Sequence, residues 1–245
     1  MTIGIGFLCE DGIVLSADTQ ITWPQDHKDY ECKLYPHTSA EWSMLNTFAG
    51  DPHLAKSFNG KFDEAIIRVA APYTPEKIRD VIETVLEFLH IAEPTDVSML
   101  CGIACRGDLM RVKTWGKTVS SVTDNYDYVG VGDSSVLRYL GQMITQTDGR
   151  PYRVKQAVKL ATYLVLKAKT FIDGCGGDTD ALILRPDGHL ETIGMDPYNI
   201  EQWFLRLEKR IKTVIAQFLD SRVSHESFDK TLEALVKELK NEHYV

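Results

Sequence analysis

The chain has little cysteine and no cluster of basic residues. Its five cysteines include no Cys-x-x-Cys pair, and they are too few and too irregularly spaced for a disulfide scaffold. We therefore expect reduced thiols and a cytoplasmic location. Acidic residues outnumber basic ones by 35 to 27, which leaves a net charge of -8, and the basic residues are dispersed. This balance argues against nucleic acid as a partner.

Long hydrophobic runs and metal or nucleotide motifs are also missing. The apolar N-terminal segment is broken at Glu10 and Asp11 and follows no basic residues, so we predict neither a signal peptide nor a membrane span. The seven histidines show no metal-ligand spacing. Arg111 and Ser135 stand where a phosphate loop and a dinucleotide fingerprint would each require glycine. We predict no metal and no cofactor.

The apolar residues that are present follow the periods of strands and helices. Residues 3–8 and 13–15 flank a turn at Asp11-Gly12, which predicts a β-hairpin. Further strands are predicted near 32–35 and 43–48. Apolar residues at three- and four-residue spacing then predict two helices, over about 51–70 and 75–89.

The second half of the chain repeats this order. Strands are predicted at 97–104, 109–115 and 126–131, helices at about 134–143 and 152–172, and final strands at 181–184 and 189–193. Groups of strands separated by pairs of helices are typical of two packed antiparallel sheets with a helix layer on each outer face. We therefore predict an α+β fold, a four-layer α-β-β-α sandwich.

The pattern changes beyond residue 195. Apolar residues continue at helical spacing from Ile200 to Leu239, with a break at 221–224. This predicts a C-terminal helical hairpin whose apolar surface packs on the domain or on a neighbouring subunit. The predicted domains are residues 2–195 and a helical extension, 196–245.

Thr2 stands directly after the initiator methionine. If Met1 is removed, the Thr2 hydroxyl and a free α-amine lie on neighbouring carbons. An α-amine has a pKa of roughly 7.7 to 8.0, so it can accept the hydroxyl proton near neutral pH. No separate histidine base is then needed for nucleophilic catalysis.

Asp18, Lys33 and Gly50 are the companions that such a nucleophile needs. Asp18 ends an apolar strand, where burying a carboxylate alone is costly, so it requires a cationic partner. Lys33 is the candidate, and a charged lysine favours the deprotonated hydroxyl. The backbone N–H of Gly50, at a turn into a helix, is suited to stabilise an oxyanion.

In order and spacing, these residues, the turn at Gly12 and three segments resemble the β-type subunits of the proteasome and their bacterial HslV-like relatives, which are N-terminal nucleophile (Ntn) hydrolases. The resemblance runs from Thr2 to about Ile193, and its segments are Ser16-Ala17-Asp18, Phe48-Ala49-Gly50 and residues 171–177. It implies the Ntn hydrolase fold and a threonine protease in which Thr2 is the nucleophile. Lys33 would assist it, and Asp173 would be the acidic residue that fixes the amine.

The resemblance also implies partners. They are a peptide or unfolded-protein substrate, further copies of the chain in a ring or stacked rings, and, as a candidate, an ATP-dependent unfoldase. Two serines that hold the amine in the active relatives are replaced by Val131 and Gly176; Ser134, Ser135 and Thr179 are candidates to compensate. Two alternatives therefore stay open, a non-catalytic assembly subunit and an amidase acting on small non-peptide amides.

Overall fold

The computed structural model of the chain describes residues 2–23, 27–91, 93, 96–122, 124–130, 137, 139–142, 151–192 and 196–242. The chain divides into two compact units, one that ends at Tyr198 and one that begins at Asn199. Across the described ranges, no helix combines the length and the apolarity that crossing a lipid bilayer requires.

The first unit contains the strands. In chain order they are β1 (Ile3–Cys9), β2 (Gly12–Asp18), β3 (Gln20–Thr22), β4 (Lys28–Tyr30), β5 (Leu34–Thr38), β6 (Trp42–Gly50), β7 (Val97–Cys105), β8 (Asp108–Trp115), β9 (Thr118–Ser121), β10 (Tyr126–Gly130), β11 (Thr179–Leu184) and β12 (Leu190–Thr192). Its long helices are α1 (Pro52–Ile66), α2 (Pro75–Phe88) and α3 (Val154–Phe171). Of the helix predicted over 134–143, Leu137 and residues 139–142 are described, and they are helical. The α+β class is therefore correct.

The strands form three antiparallel sheets. One five-stranded sheet has the order β10-β1-β2-β11-β12 and the other has the order β5-β6-β7-β8-β9. The third sheet is the pair β3-β4, in which Ile21 lies opposite Asp29.

The sequence predicted two sheets, so the number of sheets was wrong, because the pair β3-β4 was missed. Strand β9, at the edge of a five-stranded sheet, was missed as well. These strands are three or four residues long, and the three side chains of β4 are all exposed. A strand this short and this polar has no alternation of apolar residues from which it can be recognised. Hydrogen bonding to a neighbouring strand defines it instead.

Helices pack on both five-stranded sheets. Prolines at the first turn and the side-chain caps Asp51 and Thr74 begin α1 and α2. These two helices pack on β6, β7 and β8, whereas α3 packs on β1, β2 and β11. One apolar cluster, which includes Phe58 and Phe62, fills the space under α1 and α2, and a second lies where the two sheets face each other.

Arg111 crosses between the sheets. It belongs to β8, is 1% exposed, and donates hydrogen bonds to the carbonyl oxygens of Gly6 (2.5 Å) and Asn125 (3.3 Å) and to that of Asp124. Burial lowers the pKa of this guanidinium to about 10, so it stays charged at neutral pH. The sheets are therefore held together by a buried cation as well as by apolar contacts.

The second unit consists of α4 (Pro197–Leu219), apart from its first two residues, and α5 (His225–Glu242). An ion pair between Arg210 and Glu238 (2.8 Å) and a ring contact between Phe218 and Phe228 (5.9 Å) join the two helices. Apolar side chains remain exposed on both; they include Ile215, Phe218, Leu219, Val236 and Leu239.

Candidate active site

Thr2 and Asp18 are brought together by the first hairpin. Since β1 and β2 are antiparallel and Gly4 lies opposite Ala17, the start of β1 lies beside the end of β2. The backbone N–H of Ile3 donates to Asp18 Oδ1 at 3.0 Å. This bond fixes the carboxylate beside the residue that carries the predicted nucleophile.

Lys33 completes the cluster from the segment just before β5. Its ammonium donates to Thr2 Oγ1 (2.9 Å), to Asp18 Oδ1 (2.9 Å) and to the backbone carbonyl of Gln20 (2.5 Å). These three acceptors match the three N–H donors of an ammonium group. Both ionised side chains are fully buried.

Burial dominates the electrostatics of this site. It lowers the pKa of Lys33 below its usual range, although the Asp18 carboxylate acts in the opposite direction. Burial, with a contribution from Asp18, also raises the pKa of the neighbouring Cys175 thiol to about 12. Cys175 is therefore a protonated thiol at neutral pH, and the hydroxyl that Lys33 contacts in this cluster is that of Thr2.

Gly50 ends β6 and lies immediately before Asp51, the N-cap of α1. Its φ of +113° is strained for other residues, and a side chain there would overlap the carbonyl of Asp96. The first turn of a helix presents free N–H groups, which favour negative charge. Gly50 is therefore at the kind of position that the sequence predicted for an oxyanion donor.

Gly130 was not predicted as part of the site. It ends β10 opposite Ile3 with a φ of +78°, and a Cβ there would overlap the Thr2 carbonyl and lie 2.7 Å from Ala49 Cβ. Gly130 therefore lies close to both Thr2 and Ala49, which brings the end of β6 near Thr2. The only sequence signal was a glycine at the end of a predicted strand.

A glycine-rich loop between α3 and β11 closes the other side. The Gly176 N–H donates to Asp18 Oδ2 (3.1 Å), and the Gly176 carbonyl accepts from the Gln20 N–H (3.1 Å). Thr19 forms two further bonds with Asp178, at 3.1 Å and 2.8 Å. The loop therefore binds the segment that follows Asp18 and fixes the second carboxylate oxygen.

The structure does not join Asp173 to the cluster. Its side chain is exposed in the turn after α3, and within the described ranges no hydrogen bond links it to Thr2, Asp18 or Lys33. Thr179 is buried opposite Asp18 on β11. Val131, Ser134 and Ser135 lie outside the described residues. In the described part of the chain, no group of three His, Cys, Asp or Glu side chains is arranged to hold a metal ion.

Comparison with known proteins gives structural matches only. No family model matches the sequence, and no curated protein matches it. The fold is similar to Anbu (ancestral beta-subunit) from Yersinia bercovieri, with 14% identity, a TM-score of 0.72, and 88% of this chain and 97% of that chain covered.

Two other Anbu structures are similar. A Gly-1 mutant from Hyphomicrobium sp. strain MC1 has 15% identity and a TM-score of 0.71, with 87% of this chain and 97% of that chain covered. The helical assembly of the Anbu complex from Pseudomonas aeruginosa has 17% identity and a TM-score of 0.64, with 86% and 96% covered. Structural similarity at such low sequence identity shows the fold alone.

The resemblance to proteasome β-subunits and HslV-like proteins must be corrected. The matching structures are Anbu proteins, a distinct proteasome-like family, and no sequence match supports an HslV-like assignment. The family prediction was therefore wrong. A few short segments around a nucleophile reflect the geometry of the fold, and they do not distinguish families that share it.

Proposed function

We propose that the protein is a threonine-type N-terminal nucleophile hydrolase that cleaves peptide (amide) bonds through Thr2 after removal of Met1. The observation that supports this most directly is the 2.9 Å contact between Lys33 Nζ and Thr2 Oγ1, in a cluster where Asp18 balances the charge of Lys33. A buried ammonium beside a hydroxyl lowers the free energy of the alkoxide. A lysine that served only packing would not require this arrangement.

The reaction follows from these groups. The free Thr2 amine takes the hydroxyl proton while Oγ1 attacks the substrate carbonyl carbon, and the backbone N–H of Gly50 stabilises the oxyanion. The intermediate collapses to an ester on Oγ1, and the protonated amine gives its proton to the leaving amine. The same amine then takes a proton from water as the water attacks the ester. It returns that proton to Oγ1 when the C–Oγ1 bond breaks and the acid is released.

Asp173 enters this proposal only through its charge. Its carboxylate is exposed on the loop that binds Asp18, and the proposed role is to favour the protonated α-amine once Met1 has been removed. Asp173→Asn tests this role, because it keeps the shape of the side chain. We expect a lower apparent pKa for the amine in the pH profile of Thr2 labelling, while the plateau rate changes little.

We also propose that α1 and α2, the two five-stranded sheets and α3 form four layers. Contacts of each helix group with its own sheet, and an apolar cluster between the sheets, support this arrangement. Self-association is a further part of the proposal. The Pseudomonas aeruginosa structure is described as a helical assembly of the Anbu complex, and α4 and α5 expose apolar side chains. Cytoplasm remains the predicted location.

A non-catalytic assembly subunit is the second candidate. The exposed apolar residues of α4 and α5 favour it, because large apolar patches mark interaction surfaces. In that function, the Lys33–Asp18 pair would be structural. The two candidates differ in a single chemical property, the reactivity of the Thr2 hydroxyl.

The experiment is an intact-mass measurement before and after treatment with a peptide epoxyketone. This probe forms a cyclic adduct only with a hydroxyl and a free amine on neighbouring carbons. The protein is prepared both as encoded and from a precursor whose tag is cleaved directly before Thr2. We expect one adduct on the second form, absent in Thr2→Ala and unaffected in the matched control Thr38→Ala. The absence of an adduct on protein that begins at Thr2 would favour the assembly subunit.

Substrate class needs a separate measurement. The protein that begins at Thr2 and reacts with the epoxyketone is assayed with a panel of peptides and small non-peptide amides. The rates of hydrolysis show whether it is a peptidase or a small-amide hydrolase. Hydrolysis of peptides that disappears in Thr2→Ala supports the proposal. If only small amides are hydrolysed, the proposed peptide substrate is wrong, whereas the proposed nucleophile Thr2 still stands.

A further inference from the structure

The side chain of Gln20 has no role in the reaction proposed above, yet it is only 4% exposed and lies within the site. Its backbone N–H binds the Gly176 carbonyl (3.1 Å), and its backbone carbonyl accepts from Lys33 Nζ (2.5 Å). Gln20 therefore connects the glycine-rich loop directly to the catalytic lysine. Burying a polar side chain has a free-energy cost, so its position calls for a physical reason.

The Gln20 amide lies against a residue that has no side chain. A Cβ on Gly176 would overlap Gln20 Oε1 and lie 3.1 Å from Gln20 Cδ. On its other side, Gln20 Nε2 donates to Thr22 Oγ1 (3.3 Å). The amide thus occupies the space that a side chain at position 176 would take.

Gly176 in turn determines where Asp18 is held. Its N–H donates to Asp18 Oδ2 (3.1 Å), while Asp18 Oδ1 binds Lys33 and the Ile3 N–H. A displacement of the loop at Gly176 would move the carboxylate, and the carboxylate sets the position of the ammonium beside Thr2. The contact between Gln20 and Gly176 is therefore one step away from the nucleophile.

We propose that Gln20 is a positioning residue whose side-chain amide packs on Gly176 and holds the glycine-rich loop against Asp18, which keeps Lys33 at bonding distance from Thr2. The catalytic consequence rests on the proposed function, whereas the structural coupling does not. The glycine and the glutamine are a complementary pair. A side chain at 176 has the same effect as losing the amide, because the two cannot occupy one space.

The test compares Gln20→Ala, Gly176→Ala and the double variant, each beginning at Thr2. Gly60→Ala is the matched control, because nothing lies within 4 Å of a Cβ at that helical position. The overlap at Gly176 is with the end of a flexible side chain, so we expect the amide to be displaced and the fold to persist. Circular dichroism and urea unfolding check this for each variant.

The first readout is the rate of Thr2 labelling by the epoxyketone as a function of pH. We expect each single variant to lose on the order of tenfold, because small displacements of positioned groups have effects of at least this size. The double variant should match Gln20→Ala alone, since the amide is already absent. A wild-type rate and pH profile in Gln20→Ala, or losses that multiply in the double variant, would overturn the proposal.

The second readout does not depend on activity. The Lys33 ammonium is titrated by NMR in protein with labelled lysine side chains, with its signal assigned from Lys33→Arg. In Gln20→Ala the displaced Asp18 carboxylate supports the ammonium less, so the pKa of Lys33 should fall further below its ordinary value. An unchanged value would overturn the coupling. If wild-type Thr2 is not labelled, the proposed function fails, and this titration still decides the role of Gln20.

Discussion

Lys33 and Arg111 are two buried cations in the same unit with different surroundings. Lys33 binds a carboxylate, a hydroxyl and one backbone carbonyl, whereas the bonds that Arg111 forms with Gly6, Asn125 and Asp124 all go to backbone carbonyls. A carboxylate bonds to Lys33 at 2.9 Å. The bonds of Arg111 go to neutral carbonyl dipoles, and the charges of Asp127 and Asp124 raise its pKa against the effect of burial. Burial alone therefore does not distinguish the cation proposed to act in catalysis from a structural one.

The difference lies in what each cation can change. Carbonyl groups have no proton to lose near neutral pH, so Arg111 stabilises a fixed arrangement of β1, β8 and the turn before β10. The Thr2 hydroxyl can lose a proton, and a neighbouring ammonium favours that loss.

The largest effect is expected for Lys33→Met. Without the ammonium, the rate of Thr2 labelling should fall by about 10²- to 10⁴-fold, the usual range for a positioned group in proton transfer. Stability should also fall by about 3 to 5 kcal/mol, because the buried Asp18 loses its partner. Labelling kinetics measured on the folded fraction separate the two effects, and a rate near that of the wild type would remove Lys33 from the mechanism.

Arg111→Met should affect stability and leave the chemistry unchanged. Removing the guanidinium leaves buried carbonyls without a donor, so the free energy of unfolding should decrease by about 3 kcal/mol. Urea denaturation measures this loss, and the labelling rate of the folded protein should equal that of the wild type. Arg111→Lys keeps the charge and should give an intermediate loss; a strong decrease in labelling would contradict the structural role.

The pH dependence of Thr2 labelling is a third test of the role of Lys33. The rate of Thr2 labelling should rise with pH as the amine deprotonates at about pH 8. It should then fall as Lys33 loses its proton, which occurs at lower pH than for an ordinary lysine because burial lowers its pKa. In Lys33→Arg the cation keeps its proton, so the falling limb should disappear. If the same falling limb persists in that variant, another group is responsible for it.

The smallest effect is expected at a lysine pair with the same separation. Lys56 and Glu31 are also 2.9 Å apart, but their side chains are 50% and 36% exposed. Water and salt screen this pair, so Lys56→Met should change stability by about 0 to 1 kcal/mol. Denaturation curves of Lys56→Met and Lys33→Met, measured in parallel, test this contrast. A similar loss of unfolding free energy in both variants would show that burial does not determine how much each ion pair contributes to stability.

Much of the fold was predictable because its signals are local. The β1–β2 hairpin turns at Glu10-Asp11, one residue before the predicted Asp11-Gly12, and α1 and α2 have prolines and capping residues at their starts. Each of these signals acts within a few residues. The pair β3-β4 has no comparable signal, so its existence depends on hydrogen bonds between strands.

The site was predictable only in part. Thr2 was identified from its position and chemistry, and Asp18 and Lys33 from the resemblance together with the cost of burying an unpaired carboxylate. The structure brings the three together. Gln20 and Gly130 were missed, because their roles arise from contacts with residues distant in sequence. Asp173 was placed in the site by resemblance, yet its side chain is exposed in a turn.

The sequence by itself determined the α+β class, the main helices and strands, and the residue types able to support a threonine nucleophile, since periodicity and side-chain chemistry are properties of short segments. Only the tertiary structure decided which charged groups meet. It pairs Lys33 with Asp18 and surrounds Arg111 with carbonyls, because strand order and loop packing determine which partners each buried charge can reach. The same composition with another strand order would bury the same cations beside different groups.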